Sequence, residues 1–221
     1  HNNGGISTDA YWETKIHGLF AVGEACGSHG VTRPGGTALN AGQVGAVRAA
    51  GKIRLRRLHG EKAMVSDALE DLLREEAREF AELPKQACGS ITPGELWQKA
   101  ARRMSAYGGM IRNQENLKAA LEETEAELNG YLELVKCPAV DQLPMFYRLR
   151  DMLISQKVYL FAMLDYAKSG AGSRGSALYT DRDGRRPDLK LPELYRCKLD
   201  QGMHGGIVQE ISLNGLQCSS Q

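Results

Sequence analysis

Apolar residues recur every three or four positions over about half of the chain, from about Glu61 to Lys168. This spacing places them on one face of a helix and leaves this part of the chain few other structures. Proline and glycine divide it into separate runs: Pro84 ends the first, Thr92 and Pro93 begin the second, and Gly108 ends that one. The pattern predicts an antiparallel bundle of three or four helices over residues 61–168.

The two runs after Gly108 differ in character. The first has a narrow apolar seam with alternating steps of four and three, formed by Leu117, Leu121, Thr124, Leu128, Tyr131 and Val135. Four glutamates lie off this seam, and we interpret them as a solvated helix face: Glu122, Glu123, Glu125 and Glu127. The second run, residues 145–167, is apolar nearly all round, so we expect it to be the central helix of the bundle.

The glycine-rich residues 1–60 have a different pattern. A short apolar run, Leu19 to Val22, is bounded by glycines and predicts a buried strand. Glu24 follows directly, at the position where open α/β sheets present ligands, and its carboxylate can accept hydrogen bonds from ribose-like hydroxyls. A solvated carboxylate at a strand end is the alternative. After a glycine-rich loop, Thr37 is available as the N-cap of a helix rich in small residues.

The loop before Thr37 has the residue types of a binding site. Gly35 and Gly36 let the backbone approach a flat ligand closely, and the following helix turns its free N–H groups toward that ligand. Arg33 offers a planar guanidinium that suits a carboxylate. An ion pair with Glu24 or a nearby aspartate is the alternative for this arginine.

Residues 169–221 contain clusters of Gly, Ser, Arg and Asp, with possible short strands around residues 194–199 and 207–213. The chain therefore divides into residues 1–60, residues 61–168 and residues 169–221. We expect an α+β fold, in which part of an α/β domain precedes the helical bundle and a short irregular or β segment follows it.

Composition excludes several classes of function. The net charge of +1, from 28 basic and 27 acidic side chains, gives no electrostatic footprint for nucleic acid or an anionic membrane surface. The five cysteines are far apart and form no C-x-x-C pair, so we expect reduced thiols and no metal site. No window approaches the roughly 18 apolar residues of a spanning helix, so we expect a cytoplasmic protein without direct membrane insertion.

Two motifs in the first segment resemble a known family. Residues 19–24, Leu-Phe-Ala-Val-Gly-Glu, are similar to the second flavin-binding motif of flavoproteins with two dinucleotide-binding domains. Residues 29–39, His-Gly-Val-Thr-Arg-Pro-Gly-Gly-Thr-Ala-Leu, resemble the His-Gly-Ala-Asn-Arg-Leu-Gly-Gly-Asn-Ser-Leu signature of succinate dehydrogenases and fumarate reductases. Further along, residues 172–175 resemble the Glu-Ser-Arg-Gly signature of that family, and residues 179–183 resemble the aspartate-containing stretch that follows it. The resemblance implies an FAD-binding α/β domain that ends near residue 60, followed by the family's C-terminal helical bundle.

The resemblance implies roles for particular residues. Glu24, after Gly23, would hold the ribityl chain of FAD, and Arg33 would bind a substrate carboxylate close to the flavin. Gly36 and Thr37 would also bind the cofactor, and Ala38 and Leu39, at the Ser-Leu positions of the signature, would offer backbone to the isoalloxazine. Thr37 and Ala38 replace the family's usual Asn-Ser pair, which loosens the assignment to a subfamily. His29 would be structural or touch the cofactor edge, and Arg174 would reach the substrate-side loops or form a structural ion pair.

His1 is one residue out of register with the family's substrate-binding histidine. The family has three residues between that histidine and the first glycine, whereas here only Asn2 and Asn3 precede Gly4. Three explanations remain open: His1 binds substrate from a shifted backbone, the equivalent residue lies upstream, or this subfamily binds something other than a plain dicarboxylate.

The implied activity is hydride transfer between the flavin N5 and a fumarate- or succinate-like carboxylic acid. Related flavoproteins such as aspartate oxidase and adenylylsulfate reductase share similar signatures, so the substrate stays open. We expect the chain alone to be inactive and not to retain FAD, because it has no G-x-G-x-x-G after a strand to hold the pyrophosphate and no capping domain. Partners would be the missing N-terminal FAD-binding and capping parts and an iron-sulfur or other electron-transfer subunit, which could hold the protein at a membrane surface. The alternative function is a helical module that docks such a subunit.

Overall fold

A computed structural model of the chain describes residues 4–27, 35–60, 67–173, 177–200, 202, 209–214 and 217–220. These residues belong to two compact units, residues 1–70 and residues 71–221. The division into residues 1–60, 61–168 and 169–221 stays a prediction.

The first unit contains one long helix, α1 (Thr37–Leu58), preceded by a 3-10 turn at Gly23–Ala25. The predicted strand over residues 19–22 is wrong in extent: it is reduced to one antiparallel bridge between Glu13 and Phe20, and the side chain of Leu19 is 49% exposed. Only the short segment around Glu13 pairs with it among the described residues, so no longer ladder forms. The N-cap of α1 is also one residue earlier than predicted. Gly36, with φ +84°, takes that position instead of Thr37, since glycine adopts the left-handed conformation without steric cost.

The second unit is mainly helical. Its helices are α2 (Asp67–Glu82, which begins within the first unit), α3 (Pro93–Tyr107), α4 (Gln114–Asn129), α5 (Tyr131–Leu134) and α6 (Leu143–Ser169). Thr92 caps α3 as predicted, and the structure adds a capping box, with the Thr92 hydroxyl accepting from the Glu95 amide and the Glu95 carboxylate accepting from the Thr92 amide. Pro93 takes the first helical position, and α3 ends at Gly108.

Helices α3, α4 and α6 pack against one another around two apolar clusters. The first joins α3 and α5 to the start of α6, and its fully buried members include Leu96, Val135, Phe146 and Leu149. The second joins α4 to the end of α6 through Leu117 and Leu160. The predicted seam is buried along its whole length, at Leu117, Leu121, Thr124, Leu128, Tyr131 and Val135. The bundle and its central helix, α6, are therefore confirmed.

Two small sheets accompany the bundle. Strand β1 (Ile111–Arg112) pairs in parallel with β2 (Leu178–Arg185), and β3 (Ile211–Asn214) pairs antiparallel with β4 (Gln217–Ser220). The prediction of a strand over residues 194–199 is wrong, because Pro192 leads into a 3-10 turn at Glu193–Tyr195 and only Cys197 forms bridges. The α+β fold class is confirmed.

The glutamates of α4 are not all solvated, which corrects the sequence interpretation. Glu127 is 4% exposed, and its Oε2 lies 2.6 Å from Nη2 of the equally buried Arg103 on α3. Gln156 of α6 accepts from the same guanidinium at 2.9 and 3.1 Å and donates to the Ala100 carbonyl. Lys99 lies 2.9 Å from the other oxygen of Glu127. A buried ionic network therefore joins the three main helices.

Candidate functional site

The first unit is held together by cationic side chains of α1 packed on the hairpin before it. Arg56 donates two hydrogen bonds to the carboxylate of Glu13, at 2.5 and 2.6 Å, and the Gly18 amide donates a third at 2.8 Å. These bonds, with that of Arg56 the largest, lower the pKa of Glu13 to about 2. Lys52, one turn before Arg56 on α1, lies over the Tyr11 ring, and Arg48, two turns before it, lies over the Trp12 ring.

Close backbone contact places the turn that carries Glu24. A Cβ on Gly5 would lie 2.4 Å from the Ala25 carbonyl oxygen, and one on Gly27 would lie 2.2 Å from Gly4. Only glycine therefore permits this packing of residues 4–6 on residues 25–27, which the Ile6 amide completes by donating to Ala25 at 2.8 Å. On its other side the turn approaches α1, where a Cβ on Gly42 would lie 3.6 Å from the Gly23 Cα.

Between this turn and α1 lies an open cavity of about 420 Å³, which we call the turn-helix cavity. It is lined by Gly23, Glu24, Ala38, Leu39, Gly42, Gln43 and Ala46. Four residues predicted from the motifs are thus brought together: Gly23, Glu24, Ala38 and Leu39. Gly36 and Thr37 begin the helix above it but do not line it.

Sequence reasoning missed three lining residues, Gly42, Gln43 and Ala46. A signal for two of them was present, because Ala38, Gly42 and Ala46 are spaced by four and therefore share one face of α1. That row of small side chains gives the cavity a floor on which the helix backbone is accessible.

The residues of the turn-helix cavity suit a flat cofactor with polar substituents. Its floor has hydrogen atoms or methyl groups in place of longer side chains at Gly23, Ala38, Gly42 and Ala46. The first intrahelical bond runs from the Asn40 amide to Gly36, so the amides of Ala38 and Leu39 point out of the helix end. The exposed carboxylate of Glu24 adds an acceptor at the rim. An isoalloxazine and its ribityl hydroxyls match this arrangement of apolar floor, amide donors and carboxylate.

Four predicted site residues lie outside the described part of the chain: His1, His29, Arg33 and Arg174. Their roles stay predictions.

The structure does describe Gly172 and Ser173, which begin the second family-like motif. Ser173 Oγ accepts from the Tyr179 amide at 2.9 Å, and its own amide donates to the Lys198 carbonyl. A Cβ on Gly172 would lie 2.2 Å from the Leu199 carbonyl oxygen. Residues 170–175 also have the spacing G-x-G-x-x-G, but they follow helix α6 and precede strand β2, which is the reverse of a dinucleotide-binding context. These two residues hold β2 in place.

Neither a metal site nor a membrane span occurs among the described residues. Their histidine, cysteine, aspartate and glutamate side chains form no group that could hold a metal ion. Among the helices of that part of the chain, none is both long and apolar enough to cross a membrane.

The chain is similar to two curated proteins and matches no family model. It is 31% identical over 175 residues to an uncharacterised FAD-dependent oxidoreductase of Methanocaldococcus jannaschii, covering 78% of this chain and 31% of that protein. It is 26% identical over 204 residues to one subunit of the fumarate reductase (CoM/CoB) of Methanothermobacter marburgensis, covering 90% of this chain and 36% of that subunit. The chain spans about a third of the length of both relatives.

Solved structures of fumarate reductases share the fold. A mutant FrdA chain of E. coli quinol fumarate reductase gives a TM-score of 0.62 at 23% identity, over 85% of this chain and 32% of that one. A quinol-fumarate reductase with menaquinol gives 0.66 at 23% identity, over 81% of this chain and 31% of that one.

Proposed function

Because the chain belongs to the succinate dehydrogenase/fumarate reductase flavoprotein family, we propose that it forms the flavin-contacting and helical part of an FAD-dependent oxidoreductase that acts on a fumarate- or succinate-like carboxylic acid. The observation that carries the proposal is the turn-helix cavity, because four residues that the motifs single out line it together. Motif and geometry are independent indications of one site.

Each part of the cavity has a function when FAD is bound. Glu24 accepts hydrogen bonds from the ribityl hydroxyls, and the small residues Ala38, Gly42 and Ala46 let the flat ring lie against the helix. The amides of Ala38 and Leu39, with the positive end of the α1 dipole, stabilise negative charge on the nearby ring edge. FAD supplies hydride transfer at its N5 atom.

Substrate binding falls to residues outside the described part of the chain. To Arg33, three residues before Gly36 in sequence, we assign the role that the family motif implies, which is to orient a substrate carboxylate close to the flavin by paired hydrogen bonds. His1 is a second candidate for that carboxylate. His29 and Arg174 are assigned to the edges of the site, where each can also have a purely structural role.

The chain alone is proposed to be inactive. Its one G-x-G-x-x-G spacing does not follow a strand, so the pyrophosphate of FAD needs a dinucleotide-binding part from elsewhere in the complete protein. A capping part would supply the proton donor. Electrons would come through an iron-sulfur or similar subunit. One relative is named as a single subunit of its fumarate reductase, which is consistent with such an assembly.

The test compares Arg33→Gln with Glu24→Ala in the complete protein, with the exposed Arg54→Gln on α1 as a control. Arg33→Gln keeps flavin but loses at least about a hundredfold in turnover with fumarate, because orientation of the carboxylate is lost. Glu24→Ala loses flavin first, and its turnover falls in proportion to the flavin lost. Flavin absorbance and steady-state fumarate reduction measure both. Near-parental turnover of Arg33→Gln with full flavin would show that the substrate site is elsewhere.

A further inference from the structure

A second cavity, of about 580 Å³, lies in the helical unit and has no part in the proposed flavin site. It opens where β1 and β2 meet the start of α4 and the 3-10 turn at Glu193–Tyr195. Five charged side chains line it: Arg112, Arg182, Arg196, Asp181 and Glu193. We call it the arginine groove. Its volume falls in the usual range of about 300–1,000 Å³ for small-molecule sites.

Arg112 is fixed in the groove by neutral groups. Its Nε donates to the Gly109 carbonyl at 2.9 Å, its Nη1 donates to the Tyr179 hydroxyl at 3.1 Å, and its guanidinium lies over the Tyr179 ring. These contacts set the position of the side chain but leave its positive charge without a counterion. No acceptor for Nη2 occurs among the described residues.

A bulge in β2 presents Arg182 to the same groove. Thr180 and Arg185 both form antiparallel bridges to Cys197, and the Asp181 amide donates to the Arg196 carbonyl, so residues 182–184 lie between these pairings and bulge outward. Gly184 permits this, because a Cβ there would lie 2.3 Å from the Cys197 carbonyl oxygen. The Asp181 carboxylate accepts from the Asp183 amide at 2.9 Å and fixes the turn at the tip. The guanidinium of Arg182 therefore lines the groove at the exposed end of the bulge.

The third arginine is already neutralised. Arg196 Nε lies 2.8 Å from Glu193, and its Nη1 donates to the Gly184 carbonyl. In contrast, neither Arg112 nor Arg182 forms an ion pair within the described ranges. Two guanidinium groups without an ion pair thus share one concave surface with Asp181, and the three arginines outnumber the two acidic residues of the lining, so its potential is positive.

We propose that the arginine groove binds an oxyanion, the carboxylate or phosphate group of a small molecule, between Arg112 and Arg182. Planar guanidinium groups with unused N–H donors pair with such oxygens by charge-assisted hydrogen bonds. Asp181 also lines the groove and disfavours a second negative charge there, so the ligand carries one oxyanion beside a neutral or cationic part. This inference does not depend on the proposed flavin function.

Isothermal titration of the 221-residue chain with inorganic phosphate and, separately, with acetate tests the proposal, at an ionic strength held constant with chloride. We expect saturable binding of at least one of the two anions, and the tighter one identifies the oxyanion class. Arg182→Gln should weaken it at least about tenfold, since one charge-assisted hydrogen bond is lost. Arg182 is exposed and has no partner within the described ranges, so this substitution should leave the fold intact.

Arg185→Gln is the matched control, because Arg185 is an exposed arginine three residues along the same strand that does not line the groove. It should bind the anion like the unsubstituted chain. Arg112→Gln should weaken binding by a similar factor to Arg182→Gln, with circular dichroism as the check on its folding. Absence of saturable binding with both anions, or equal affinity in Arg182→Gln and Arg185→Gln, would overturn the proposal.

Discussion

Replacing Glu127 by glutamine should destabilise the helical bundle far more than the same change at Glu122, five residues earlier on α4. Glu127 is 4% exposed and pairs with the buried Arg103 at 2.6 Å. The side chain of Glu122 is 63% exposed and lies 3.7 Å from Lys118. Both substitutions replace a glutamate with glutamine, so the difference between their losses in unfolding free energy isolates the effect of burial.

The size of the effect follows from what remains around Arg103. Removing one partner of a buried ion pair costs about 3–5 kcal/mol, because a charge is left uncompensated. Here Gln156 still accepts from Arg103 at 2.9 Å, Glu123 lies 3.3 Å from it, and the new amide keeps one acceptor oxygen. We therefore expect a loss of about 2–3 kcal/mol for Glu127→Gln. For Glu122→Gln we expect less than about 0.5 kcal/mol.

Urea unfolding followed by Trp97 fluorescence measures both losses. Trp97 packs against the first apolar cluster of the bundle, and the other tryptophan, Trp12, would be changed to phenylalanine in every variant. The double variant Arg103→Gln/Glu127→Gln should lose at least about 1 kcal/mol less than the sum of its two single variants, since the side chains contact each other. Equal losses for Glu127→Gln and Glu122→Gln would refute the assignment of a buried network.

Two further predictions concern the first unit. The hydrogen bonds from Arg56 are the main reason that the pKa of Glu13 is lowered to about 2. The contact therefore stabilises the unit fully above pH 4.5, the ordinary carboxyl value, and this stabilisation is lost as the pH falls through about 2. An acid titration of Trp12 fluorescence should show this step, and Glu13→Gln should abolish it. The chain should associate weakly with itself at high concentration, because α1 exposes Val47, Leu55 and Leu58; strictly monomeric sedimentation would contradict this.

Local sequence signals predicted the bundle well because the residues that specify each helix are close together in the chain. Thr92, Pro93 and Glu95 form a capping box within four positions, and the seam from Leu117 to Val135 follows from spacing alone. The sequence could not predict the burial of Glu127, since its partner Arg103 lies 24 positions away in the chain, and Gln156, which accepts from the same guanidinium, lies 53 positions from Arg103. Glu122 and Glu123 are glutamates of the same helix, yet the side chain of Glu122 is exposed and that of Glu123 is half-exposed.

The same limit applies to the strands and to the candidate site. The sequence did not predict strand β2, because its pairing partner, β1, is only two residues long. The paired residues Arg112 and Tyr179 are 67 positions apart in the chain. The motifs predicted Glu24, Ala38 and Leu39 together, but the cavity between them depends on how closely the Gly23 turn approaches Gly42. That approach is a tertiary property that no local pattern contains.

Helix α1 allows packing and cofactor binding to be tested separately, because two glycines three positions apart have different neighbours. A Cβ on Gly45 would lie 2.7 Å from Trp12 Nε1, so Gly45→Ala overpacks the hairpin and should cost about 1–3 kcal/mol, partly offset by the better helix propensity of alanine. A Cβ on Gly42 would make an ordinary contact at 3.6 Å with Gly23. Gly42→Ala should therefore stabilise the unit by about 0.5–1 kcal/mol.

The effect of each substitution on flavin retention in the complete protein should differ from its effect on stability. The methyl group of Gly42→Ala projects into the turn-helix cavity, where the flat ring needs accessible backbone, so the more stable variant should retain less flavin. Gly45 does not line the cavity, so Gly45→Ala should retain flavin as long as the unit stays folded. Urea unfolding of the chain by Trp12 fluorescence, in a Trp97→Phe background, gives the stabilities, and flavin absorbance gives retention. If Gly42→Ala bound flavin as well as the parent protein while Gly45→Ala lost it, the cofactor would lie on the opposite face of α1.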